Sequence, residues 1–124
     1  MNVTILGNEY PLEYTVEAQS KIAERFGAIE NIENIFDTGV AKVTENIVFM
    51  LSTMMEAAEN RERVLCSIMC KEYTGRKVLT EQELKSVIRM QDFKYLQSAV
   101  MATLTEGSKA SVETEEEKKE EAMQ

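Results

Sequence analysis

Residues 40–69 read VAKVTENIVFMLSTMMEAAENRERVLCSIM, and the fold follows from how that stretch is parsed. Val40, Val43, Ile47, Met50, Leu51, Met54, Met55 and Ala58 recur at steps of three and four. This spacing places them on one face of a helix over about five turns. A polar run, Glu59-Asn60-Arg61-Glu62-Arg63, follows, and then a second apolar patch at Val64, Leu65, Ile68 and Met69. The pattern fits one long helix or two helices broken near Asn60, and Tyr73-Thr74-Gly75 ends it.

Upstream, Val3 and Ile5 alternate with Thr4, and Tyr10, Leu12 and Tyr14 alternate with Pro11 and Glu13. Gly7-Asn8 lies between these runs and suits a two-residue turn, so the first fourteen residues are expected to form a β-hairpin. Pro11 donates no ladder hydrogen bond, which makes the second strand an edge there. An isolated hairpin is marginal in water and needs the helices as support. Thr15 is a good N-cap for a helix whose apolar residues are Val16, Ala18, Ile22, Ala23 and Phe26, ended by Gly27. A further short helix is expected from about Ala28, with Ile29, Ile32, Ile35 and Phe36, broken at Thr38-Gly39.

Downstream, Leu79-Thr80-Glu81-Gln82-Glu83-Leu84 is a helix start. Thr80 caps it, Glu83 reaches back to the cap amide, and Leu79 and Leu84 supply the hydrophobic staple. Leu84, Val87 and Ile88 form its buried face. A last helix runs from about Asp92 through Phe93, Leu96, Val100, Met101 and Leu104 to Gly107. Beyond it, residues 108–124 are dominated by Glu and Lys, with only Val112 and Met123 as sizeable apolar residues. Such a segment buries too little surface to offset its conformational entropy and is expected to be unstructured. The expectation is a mainly α (α+β) protein. Residues 1–107 form one domain, a short hairpin packed on a bundle of about five helices, and residues 108–124 form an acidic tail.

Composition narrows the function classes. The 124-residue chain is 44% apolar, which suffices for one modest core. Its 22 acids outnumber 14 bases for a net charge of −8, with no strongly basic stretch, so nucleic acid is a poor direct partner. There is no His, the commonest general base and metal ligand. The five Gly are isolated, so no phosphate-binding loop exists. Glu30 with Glu33 and Glu81 with Glu83 read as solvated surface or helix start, and Glu45 as an ordinary surface acid. No catalytic, metal or cofactor site is expected, and the protein is read as no enzyme. Cys66 and Cys70 lie on one helix face with nearly parallel Cβ directions, poor for a disulfide. They read as buried thiols acting as small hydrophobes in a reducing cytoplasm. The amino terminus lacks the features of a signal peptide, and no apolar run approaches a membrane span.

The chain has eight Met. Met50, Met54, Met55, Met69, Met90 and Met101 fall in or beside helical apolar faces. They are either core or an adaptable binding surface, since the thioether chain accommodates varied partners. Met50, Met54 and Met55 are the candidate protein-binding residues, because adjacent helical positions such as 54 and 55 point about 100° apart. Tyr10 and Tyr14 are half-buried strand residues or the exposed face of a hairpin that pairs with another chain.

The order of these segments resembles the tail assembly chaperones of long-tailed bacteriophages and prophages. Ile5-Leu6-Gly7-Asn8-Glu9-Tyr10-Pro11-Leu12 is similar to the hairpin that opens those proteins, and Thr15-Val16-Glu17-Ala18 through Phe26-Gly27 to their first helix. Leu79-Thr80-Glu81-Gln82-Glu83-Leu84 and Leu104-Thr105-Glu106-Gly107 with its acidic tail match their late segments. Residues 60–77 depart from the family, whose members are more aromatic there. The resemblance implies a mainly α protein that binds and solubilises the tape measure protein and helps recruit tail tube subunits. It implies action in the host bacterial cytoplasm and absence from the mature virion, with self-association as an option. It also implies a longer form made by frameshifting, for which Glu117-Lys118-Lys119 is a candidate slippery site. The rival expectation is a phage-encoded acidic inhibitor or adaptor of a host protein.

Overall fold

The computed structural model describes residues 1–27 and 40–108. It is mainly helical, with a two-stranded antiparallel hairpin at the amino terminus. The short helix expected from about Ala28 to the break at Thr38-Gly39 lies outside the described residues, as does the expected tail 108–124 apart from Ser108, which is the last residue of a helix; among the described residues there are four helices.

Strand β1 (Asn2–Ile5) pairs with β2 (Asn8–Pro11), with Val3 opposite Tyr10 and Ile5 opposite Asn8. That register makes Leu6-Gly7 the turn, one residue earlier than Gly7-Asn8. Leu6 and Gly7 both have positive φ, 54° and 79°, as a twist-matched two-residue hairpin turn requires. Pro11 closes β2, and the Leu12 amide donates once more to the Met1 carbonyl at 2.7 Å. Val3, Ile5 and Leu12 are buried while Thr4 and Glu9 face outward.

Helix α1 (Val16–Phe26) starts where expected: Thr15 Oγ1 accepts from the Ala18 amide at 3.2 Å. Gly27 ends it at φ 83°. Its buried face is Ala18 and Ile22, whereas Val16, half a turn away from Ala18, is exposed. Helix α2 (Val40–Ile68) is continuous through Asn60, which resolves the two parses left open by the sequence. Helix α3 (Glu81–Val87) carries the full capping box: Thr80 Oγ1 accepts from the Glu83 amide at 3.2 Å, and Glu83 Oε1 from the Thr80 amide at 3.1 Å. Helix α4 spans Met90–Ser108. Gly107 therefore lies inside α4 instead of ending it. A Cβ there would come within 2.5 Å of Tyr14 Cβ, so glycine is required by the close approach.

Helix α2 is the axis of the fold. Helix α1 runs antiparallel along it: Lys21 Nζ reaches Glu56 at 3.1 Å, Asn60 Nδ2 donates to Glu17 at 3.0 Å, and Phe26 meets Phe49 edge-on with centroids 5.8 Å apart. The hairpin exits onto α2 through the Glu13 amide, which donates to the Met54 carbonyl at 3.2 Å. Helix α4 joins the hairpin through Tyr95, whose hydroxyl accepts from the Thr4 amide at 3.3 Å. The Ser52 hydroxyl on α2 holds the Leu79 carbonyl ahead of α3 at 2.9 Å. The core therefore gathers around Ile47, Met50, Leu51, Met54 and Met55, with Val3, Leu12, Ile22, Leu84, Leu96 and Val100 closing in.

Candidate partner-binding surface

Of the residues singled out from the sequence for binding, the three methionines lie in the core and the two tyrosines are partly exposed. Met50 and Met54 are fully buried and Met55 nearly so. Although Met54 and Met55 point about 100° apart, both are buried because α2 has cover on several sides. Tyr10 and Tyr14 are half-buried and pack against the same core. Tyr14 Oη is buried with no hydrogen-bond partner among the described residues, and burial raises its pKa. The structure thus makes Met50, Met54 and Met55 packing elements, while Tyr10 also lines a surface depression with Asn8, Glu9, Arg76 and Lys77.

Among the described residues, exposed apolar side chains include Val16 at the start of α1 and, besides it, three places of note. The largest is the carboxyl-terminal end of α2, where Val64, Ile68 and Met69 are 52%, 71% and 56% exposed. Helix α1 begins near the level of Asn60, so the face of α2 it covers continues beyond it without α1. The helix then stops in a Schellman turn: the Lys71 amide donates to the Cys66 carbonyl at 2.8 Å and the Cys70 amide to the Ser67 carbonyl at 3.3 Å. Cys70 takes the left-handed position at φ 55°, which glycine usually fills. From there the chain doubles back beside α2. Tyr73 donates its hydroxyl to Glu59 Oε2, and Arg76 lies 3.9 Å from Glu59 Oε1. The hydrogen bond to Glu59 is the main reason the Tyr73 pKa is raised.

The two thiols sit on this projecting end, so the expectation of buried cysteines is corrected: Cys66 is half-buried and Cys70 exposed. They lack cover because α1 does not extend that far. Burial, followed by the nearby Glu62 carboxylate, pushes the Cys66 thiol pKa up. A raised pKa makes it a poor nucleophile. Charges at the end of α2 and just beyond it are balanced, Arg61, Arg63 and Lys71 against Glu59, Glu62 and Glu72.

The second place is a groove between α2, α3 and α4. Val48, Leu84, Ile88, Met90 and Phe93 line it, and Glu45 and Lys85 stand 4.0 Å apart at its rim. Met90 is 65% exposed at the start of α4. The third is the hairpin tip, where Leu6 is 72% exposed. A Leu at positive φ costs of order 1 kcal/mol relative to glycine, so the turn presents this side chain at some cost in stability.

Sequence reasoning missed these surfaces. For α2 a signal was present, the polar run Glu59–Arg63 that separates the two apolar patches. For the groove the signal was Met90, which stands between two helices and outside both of their buried faces. Leu6 had none, since the register was read one residue late.

Among the described residues no group of three or more His, Cys, Asp or Glu is placed to hold a metal ion, and no helix is long and apolar enough to cross a membrane. No protein-family model, curated protein or solved structure matches the chain.

Proposed function

We propose that the protein acts by binding other proteins, not by catalysis, and that it is a tail assembly chaperone of a long-tailed bacteriophage or prophage. In this reading it binds and solubilises the tape measure protein, helps recruit tail tube subunits, works in the host cytoplasm and leaves before the virion is complete. The observation that supports it is the open apolar groove of Val48, Leu84, Ile88, Met90 and Phe93. A groove of this kind suits the apolar stripe of an amphipathic helix, whose residues at i, i+3, i+4 and i+7 fill it. A flexible Met on its rim adapts to successive segments of a long, repetitive chain. The acidic balance of the chaperone keeps such a complex dispersed.

Co-expression of the tagged chain with the phage's long tape measure protein tests the reading. The expected outcome is tape measure protein that is soluble only with this chain and co-purifies with it. Met90→Glu, at an exposed position, should abolish that capture while leaving the melting temperature unchanged. Tape measure protein that stays insoluble while a basic host protein is captured in a salt-sensitive complex would overturn it in favour of an inhibitor.

A further inference from the structure

We propose that residues 70–79 form a latch on α2 that opens as a unit, with the buried Glu59 carboxylate as its catch and Cys70 as its hinge. The proposal does not depend on the chaperone reading. It rests on how this strap is held, which face of α2 it follows and what lies beneath it.

Burial separates the strap from the core. Residues 71–80 form no helix or strand, residues 70–77 are all exposed, and Val78 and Leu79 are half-buried at the far end. A segment with so few buried apolar groups opens at a lower free energy than the helices it joins. Both of its ends are fixed. At one, Cys70 takes the left-handed conformation that turns the chain off α2. At the other, the Ser52 hydroxyl donates to the Leu79 carbonyl at 2.9 Å. Lys77 pairs with Glu83 and so belongs with the cap of α3.

Between these ends Tyr73 and Arg76 reach α2, and both do so through Glu59. That residue is only 8% exposed. A buried carboxylate needs hydrogen-bonding or charged partners, and here the strap supplies them. Opening exchanges those partners for water, so the charge is not left bare. Gly75 shapes the catch, since a Cβ there would stand 2.7 Å from the Tyr73 hydroxyl.

Glu59, Cys66 and Cys70 fall on one face of α2, turned away from Val64 and Ile68. Cys66 therefore lies between hinge and catch, where the chain doubles back, and it is half-buried. Further along, Thr74, Gly75 and Arg76 border a cavity with Glu59, Pro11 and Glu13 at the end of the hairpin. The open latch brings the Cys66 thiol, the Glu59 carboxylate and this edge of the hairpin into solvent.

Alkylation of Cys66 by N-ethylmaleimide, in a full-length chain carrying Cys70→Gly, reads the opening. Glycine suits the left-handed hinge position. The Cys66 thiol should react more slowly than Cys70 does in a chain carrying Cys66→Ser. Tyr73→Phe keeps the ring and removes the hydroxyl. It should speed the Cys66 reaction about tenfold, the usual effect of losing a hydrogen bond to a charged group. Gly75→Ala, which pushes the hydroxyl off Glu59 while leaving both partners in the chain, should do the same. In each chain the rate should be flat at low urea, because opening the strap exposes little surface. A Cys66 as reactive as Cys70 overturns the proposal, and so does an unchanged rate in either variant. A rate that climbs with urea from the first addition also overturns it, since the thiol is then released by unfolding of the whole chain.

Discussion

The two halves of α2 carry the same kind of apolar pattern and meet opposite fates. Between Ile47 and Ala58 the helix is buried on several sides; between Asn60 and Ile68 it projects, with Val64 and Ile68 in solvent. Helical periodicity is equally clear in both halves. What differs is non-local: α1, the hairpin, α3 and α4 are placed over the first half, while α1 begins only near Asn60. An apolar stripe therefore states which face a helix offers, and the neighbours decide whether that face is core or interface. The projecting half is where the described residues leave Val64, Ile68 and Met69 in solvent on an otherwise well-packed protein.

The sharpest way to break this comparison is to place the same charge in each half. Met54→Glu buries a carboxylate with no partner and should prevent stable folding, since an unpaired buried charge costs several kcal/mol against a total stability of about 5–15 kcal/mol. Ile68→Glu falls on a side chain that is 71% exposed and should change stability by no more than about 0.5 kcal/mol. Circular dichroism melts of the two variants decide it. Equal losses would mean that the projecting half is packed after all.

A medium effect is expected where the cover stops. Gly107→Ala adds a methyl group 2.5 Å from Tyr14 Cβ, an atom held close to its backbone that cannot swing aside. Overpacking of this kind costs about 1–3 kcal/mol, against at most about 1 kcal/mol gained in helix propensity. The net expectation is destabilisation by ~1 kcal/mol or more, read as a lower denaturation midpoint in urea at unchanged slope. A neutral or stabilising outcome would show that α4 does not press on Tyr14 at the boundary of the two halves.

Local chemistry was legible in the sequence. The caps at Thr15 and Thr80, the capping box through Glu83, the alternation of Val3 and Ile5, and the helical stripe of α2 all depend on residues within four positions of each other. They appear as read. The rest was set by packing across the chain. The turn moved to Leu6-Gly7 because pairing Ile5 with Asn8 keeps Val3 and Ile5 inward, and a one-residue slip would expose both. Gly107 reads as a helix stop in isolation and acts as a contact point once Tyr14 is beside it. Met54 and Met55 looked too divergent for one core because the number of elements around α2 is not written in α2 itself. The groove at Met90 depends on how α3 and α4 meet, across Ile88-Arg89, and no periodicity reports that angle.

The smallest effect concerns the cap that holds α3, and with it Leu84, over the covered half of α2. The Glu83 carboxylate accepts from Lys77 Nζ and from the Thr80 amide, and these bonds, the Lys77 contact first, hold its pKa below the usual carboxylate value. A carboxylate with a depressed folded pKa binds its proton more readily when unfolded. The stability it contributes is therefore fully present above the unfolded value of about 4.3 and is lost as pH falls through the lower folded value. Glu83→Gln removes the ion pair with Lys77 yet keeps an acceptor for the Thr80 amide. At neutral pH the variant should melt slightly lower than the parent, and the gap should narrow as pH falls below about 4.3 and close only below the depressed folded value, where both side chains are neutral. A gap that stays constant down to the acid end would show that the cap works through geometry alone. The carboxylate charge would then have no part in seating α3 on α2.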